Sequence, residues 1–84
     1  MFRYEYELYV NGVLVGEFFK ENVSESILKK SLPMNILAYA RTNNIPIGEI
    51  TVDVTICYNG DYFDFDSYDL IIGSNYETLN LLSA

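Results

Sequence analysis

The 84-residue chain has no histidine, no tryptophan, a single cysteine, two prolines and only five Lys or Arg against twelve Asp or Glu. Each scarcity removes a class of chemistry. Without His there is no Ser-His-Asp or Cys-His catalysis of the usual construction. One Cys excludes an internal disulfide framework and the Cys₂His₂ and Cys₄ zinc sites. A formal net charge of −7 makes the chain a poor direct ligand for phosphate backbones. No run approaches the ~18 apolar residues of a membrane span. The start, Met1-Phe2-Arg3-Tyr4-Glu5, lacks a basic region followed by an apolar run, so no signal peptide is expected. With Cys57 unpaired, the expected compartment is a reducing cytoplasm.

What is present is apolar and aromatic. Half of the residues are hydrophobic and 15% are aromatic, too many for a disordered acidic tail. The length sets a single domain, residues 1–84. The charge is uneven along the chain. Glu49, Asp53, Asp61, Asp64, Asp66, Asp69 and Glu77 occupy residues 47–84 with no Lys or Arg among them. That asymmetry points to one acidic surface.

Residues 3–20 read as a β-hairpin. Tyr4, Tyr6, Leu8 and Val10 alternate with Arg3, Glu5, Glu7 and Tyr9, the period of a half-buried strand. Asn11-Gly12 then supplies the two positive-φ residues of a type I′ turn. An unbroken register points Glu17 inward, whereas a bulge at Gly16 turns Glu17 out and Phe18 in, and the bulge is preferred. Residues 22–43 read as helix, with Asn22 as N-cap, Glu25 completing a capping box, and Val23, Ile27, Leu28, Leu32, Leu37 and Ala38 as the apolar stripe. Pro33 either kinks that helix or opens a second one. Residues 47–58 form the clearest strand, Asn59-Gly60 makes a second hairpin turn, and residues 61–72 return. Residues 74–84 suit either a helical turn or a short strand. The expected core aromatics are Tyr4, Tyr6, Phe19, Phe63 and Phe65.

The expectation is an α+β fold of order ββαββ: a four-stranded, mainly antiparallel sheet with one helix on one face. The run Tyr4-Glu5-Tyr6-Glu7-Leu8-Tyr9-Val10-Asn11-Gly12 ahead of Gly16-Glu17, then a helix, then a second acidic aromatic hairpin, resembles the β-grasp arrangement of bacterial immunoglobulin-binding domains. The resemblance implies a fold only, with the first and last strands central and parallel, and transfers no binding residue.

The second hairpin carries the functional reading. A two-residue turn at Asn59-Gly60 pairs Cys57 with Tyr62, Thr55 with Asp64 and Asp53 with Asp66, all on the face away from the helix. Glu5 and Glu7 extend that surface, Asp69 continues it, and Tyr62 and Tyr68 flank the acids. Like charges placed opposite one another destabilise a sheet. Concentrating them therefore points to solvation, to a cation or to a partner. A calcium loop needs oxygens converging on a turn, which strand residues do not provide. No metal and no cofactor is expected, and no catalysis, since a domain of this size encloses little substrate.

The leading expectation is a non-enzymatic inhibitor whose acidic face occupies the basic nucleic-acid-binding site of a larger protein, through Glu5, Glu7, Asp53, Tyr62, Asp64, Asp66, Tyr68 and Asp69. The chain is similar in size and charge to the small acidic proteins with which phages inhibit CRISPR and restriction nucleases. The alternatives are a binding module using Leu14 and Phe18 as apolar anchors, and a homodimer subunit joined by edge strands or by Leu79, Leu81 and Leu82.

Overall fold

The structure, a computed structural model, describes residues 2–21 and 24–81. Five strands and one long helix follow in the order β1 (Phe2–Val10), β2 (Val13–Glu21), α1 (Glu25–Thr42), β3 (Gly48–Tyr58), β4 (Asp61–Ile72) and β5 (Leu79–Leu81), with a 3-10 turn at Ser74–Tyr76 before β5. The strands make one sheet in the order β2-β1-β3-β4-β5, with every neighbouring pair antiparallel. The fold is α+β as expected, with a fifth strand where four were anticipated. The added strand comes from the ambiguous tail: Leu79 pairs with Ile72 and Leu81 with Leu70 along the free edge of β4.

The central pair also differs from the expected arrangement. β1 lies between β2 and β3 and runs antiparallel to β3, rather than parallel to the last strand. Burial explains the choice. β3 places Ile50, Val52 and Val54 in the core, whereas β4 buries only Leu70 and Ile72. The more apolar strand takes the centre of the sheet, with two strands on either side. Helix α1 links β2 to β3, which share a direction because each is antiparallel to β1. A connection of that kind needs a crossover of a dozen or more residues, and the helix supplies it.

Both Asn-Gly turns form as read. Asn11 and Gly12 have φ of 52° and 79°, and Asn59 and Gly60 have 51° and 86°. In the first hairpin the ladder shifts between Leu8 and Tyr9, so Leu8 pairs with Gly16 and Tyr9 with Leu14, leaving Val15 as the extra residue. The bulge turns Glu17 out and Phe18 in. Phe18 stacks between Tyr6 (4.5 Å) and Tyr39 (4.8 Å). Phe19 is thereby driven to the opposite face and is 55% exposed, which corrects its assignment to the core. Gly16 is needed here: a Cβ on it would lie 2.7 Å from the Tyr39 ring, and the Tyr39 hydroxyl accepts from the Glu17 N–H at 3.1 Å.

Helix α1 is one continuous element with Pro33 inside it, so neither a second helix nor a break occurs. Its N-cap is Ser24, whose Oγ accepts from the Ile27 N–H at 3.3 Å. The expected N-cap Asn22 and the expected stripe residue Val23 lie outside the described residues. The buried stripe is Leu28, Leu32, Ile36 and Ala40, while Ile27 and Ala38 are exposed. The four-residue spacing keeps one row against Tyr6, Leu8, Val52 and Val54. The helix ends in a Schellman turn: Asn44 has φ of 55°, and the Ile45 N–H donates to the Ala40 carbonyl at 3.0 Å. The tail packs against this end, where the Tyr76 hydroxyl donates to the Ile45 carbonyl (2.5 Å) and Arg41 donates to the Tyr76 carbonyl (3.1 Å).

Phe65 is half-buried, edge-on to Tyr4 at 5.7 Å, with the Lys29 ammonium over its ring. Phe63 faces the helix side opposite Ile56 but is 54% exposed, so it is not a core residue. No described helix is long and apolar enough to cross a membrane.

Candidate functional site: the outer sheet face

Strand pairing puts residues in rows across the sheet, and directly paired residues share a face. On the face away from α1, one row reads Glu21-Arg3-Cys57-Tyr62 and the next Phe19-Glu5-Thr55-Asp64. The third is Glu17-Glu7-Asp53-Ser67, and the fourth is Leu14-Tyr9-Thr51-Asp69. Glu49, opposite Ile71, extends the face beyond the last row. Eight carboxylates and one guanidinium therefore share this surface, and their difference equals the formal net charge of the whole chain, −7. The four remaining acidic residues are matched in number by Lys20, Lys29, Lys30 and Arg41.

The third row is the electrostatic centre. Glu17, Glu7 and Asp53 are successive cross-strand neighbours on β2, β1 and β3. No basic side chain pairs with Glu7 or Glu17 among the described residues. Asp53 accepts a hydrogen bond from the Ser67 hydroxyl at 2.7 Å, and Asp69 accepts from the Thr51 hydroxyl at 2.9 Å. These bonds orient two carboxylates without neutralising them. Tyr9, next along the strand from Glu7, has its phenol pushed up, first by burial and then by the charges of Glu7 and Asp53.

Among the described residues, Arg3 is the one cation on this face. Its guanidinium lies over the Phe19 ring, with Cζ 5.2 Å from the centroid, and Nη2 is 3.3 Å from the Glu5 carboxylate. The Tyr62 hydroxyl, and secondarily Glu5, hold the guanidinium in its charged form. Beside it, an open depression of about 640 Å³ runs between Phe19 and Tyr62 over Glu5, Glu7, Glu17 and Thr55.

The expected site residues divide. Glu5, Glu7, Asp53, Tyr62, Asp64 and Asp69 stand together on the outer face. Tyr68 does not. A bulge between Val54 and Thr55 shifts the ladder so that Tyr68 pairs with Val52 and packs against the core, half-buried. The same shift places Ser67, not Asp66, opposite Asp53. The expected Asp53–Asp66 confrontation is absent. Asp66 pairs with Val54, its carboxylate accepts from the Ser67 N–H at 2.9 Å, and it lines a shallow depression with Glu7, Asp53 and Asp64. Among the described residues no three carboxylates or thiols converge tightly enough to hold a metal ion. Of the proposed apolar anchors, Leu14 is exposed on the outer face, whereas Phe18 is spent in the aromatic stack. Leu79 packs against the core, and Leu82 lies outside the described residues.

Sequence reasoning missed Glu17, Glu21, Glu49 and Phe19 as members of the surface. The Gly16 bulge held the signal for Glu17 and Phe19, since alternation resumed from the bulge puts both outside. No family model, curated protein or solved structure matches the chain.

Proposed function

We propose that the chain is a non-enzymatic binding protein whose outer sheet face docks on a basic protein surface, and that it acts as an inhibitor by occupying the nucleic-acid-binding site of a nuclease or similar protein. One observation carries this reading: the whole net charge lies on one face, with Glu17, Glu7 and Asp53 adjacent across three strands and no basic partner for the first two. Such a row opposes folding, and a cationic surface relieves it. The mechanism is competitive occlusion. The negative field speeds the encounter, and released counterions add to affinity as they do when a nucleic acid binds. Its origin in a phage or mobile element and its work in the cytoplasm belong to the same proposal.

The test is displacement of labelled DNA from a panel of basic nucleases, read by fluorescence anisotropy. The chain is expected to displace DNA at low salt and progressively less as salt rises from about 0.1 to 1 M, where screening shortens from ~10 to ~3 Å. Glu7→Lys with Asp53→Lys is expected to abolish displacement while circular dichroism stays native. Displacement that survives both high salt and the double reversal rejects charge mimicry. It would favour instead an apolar contact, for which Leu14 and Phe19 stand exposed on the same face.

A further inference from the structure

The way Arg3 is held indicates what else the outer face can hold. Its guanidinium has an aromatic ring below it (Phe19), a carboxylate beside it (Glu5) and a phenol hydroxyl against it (Tyr62). Phe19 and Glu5 are direct cross-strand partners, so the strand ladder itself sets ring and carboxylate side by side. Ring plus carboxylate suits a guanidinium: the planar ion stacks on the ring and offers its edge to the acid, which a compact, strongly hydrated ammonium does less well. The depression next to Arg3 repeats these elements. It has Phe19 and Tyr62 as walls, and Glu7 and Glu17 as carboxylates that no basic side chain neutralises among the described residues.

We infer that this depression seats an arginine side chain of a basic protein partner. Its guanidinium lies against Phe19 or Tyr62, with Glu7 and Glu17 as counter-charges. Arg3 is the chain's own occupant of the adjoining seat. Charge complementarity selects a basic protein segment over a nucleic acid, and the aromatic walls select arginine over lysine. The inference deepens the proposed function and rests on it: the face must bind a basic protein at all.

Hexa-arginine and hexa-lysine peptides titrated into the full chain by calorimetry at low salt test both levels separately. The arginine peptide is expected to bind more tightly, on the order of fivefold. Phe19→Leu with Tyr62→Leu leaves the charge and apolar character in place and is expected to erase that preference, bringing the arginine peptide to the affinity of the lysine peptide. Both rings are more than half exposed, at 55% and 60%, so the fold is expected to persist, and circular dichroism checks it. A wild-type protein that binds both peptides equally, or an arginine preference undiminished in the double variant, overturns the seat and leaves the acidic-face reading standing. Failure of both peptides to bind the wild type overturns the basic-partner reading and the seat together.

Discussion

Replacing Glu7 by Gln removes the middle charge from the row Glu17-Glu7-Asp53 and preserves side-chain length and backbone pairing. Two repulsive cross-strand contacts disappear at once, Glu7 against Glu17 on one side and against Asp53 on the other. Two unit charges ~5 Å apart repel by about 0.8 kcal/mol in a water-like dielectric. Measured cross-strand effects of about 0.2–1 kcal/mol per pair bracket that figure. Relief of both contacts is therefore worth about 0.4–2 kcal/mol of added stability at low ionic strength. In a domain of this size that corresponds to a rise in melting temperature of several degrees, at about 4–8 °C per kcal/mol. Salt provides the internal control. At ~0.1 M the screening length of ~10 Å leaves more than half of the repulsion, whereas at ~1 M and ~3 Å about a fifth remains. The gain should shrink accordingly. Urea unfolding of wild type and Glu7→Gln at both salt concentrations measures it, read through the midpoint at constant slope. Glu5→Gln is the matched comparison: it lies on the same strand and face but loses the ion pair with Arg3, so it should bring no gain. The reasoning fails if Glu7→Gln stabilises no more than Glu5→Gln, or if its effect is the same at low and high salt.

Three further outcomes follow from other parts of the structure. Gly16→Ala should destabilise by about 1–3 kcal/mol in urea, because its Cβ overpacks the Tyr39 ring, and should cost less in a Tyr39→Ala background. Tyr6 is fully buried with no partner for its hydroxyl, so Tyr6→Phe should be neutral or stabilising by up to about 1 kcal/mol. Burial pushes the Tyr6 phenol up to about 12. The unfolded chain ionises this phenol near 10, so stability is complete below ~10 and falls as pH rises through about 12, by roughly 2–3 kcal/mol. That decline should be smaller in Tyr6→Phe when chemical unfolding is compared across this alkaline range. Ser24→Ala removes the oxygen that accepts the Ile27 N–H and should cost about 0.5–2 kcal/mol, measured by thermal melting.

Local signals were readable wherever the deciding chemistry lies within a few residues. Both Asn-Gly turns are of this kind, because positive φ at two successive residues is a property of the residues themselves. The Gly16 bulge was readable from the cost of burying Glu17. The bulge in the second hairpin was not. Nothing in Asp64-Phe65-Asp66 penalises unbroken alternation, which already points Phe65 inward, and the shift serves residues further on: it brings Leu70 and Ile72 into the core and turns Ser67 and Asp69 out. One residue of slippage exchanges the faces of all that follows, which takes Tyr68 into the core and brings Ser67 opposite Asp53. The N-cap moved from Asn22 to Ser24 for a similar reason: both residue types cap well, and the start of the buried stripe at Leu28 decides between them.

Composition and alternation alone determined that this is a small acidic α+β domain with two Asn-Gly hairpins about a helix, because those features depend on side-chain type and on the two-residue period of a strand. They also placed the acidic surplus in the second half of the chain. Tertiary structure relocated it. Glu5, Glu7, Glu17 and Glu21 are offset along the sequence by Lys and Arg nearby, yet the sheet separates the signs, holding carboxylates outward while Lys20 takes the helix side opposite Tyr4 and the helix carries Lys29, Lys30 and Arg41. A sum along the chain cannot detect that separation, since a strand reverses face at every residue and only the pairing of strands decides which charges become neighbours.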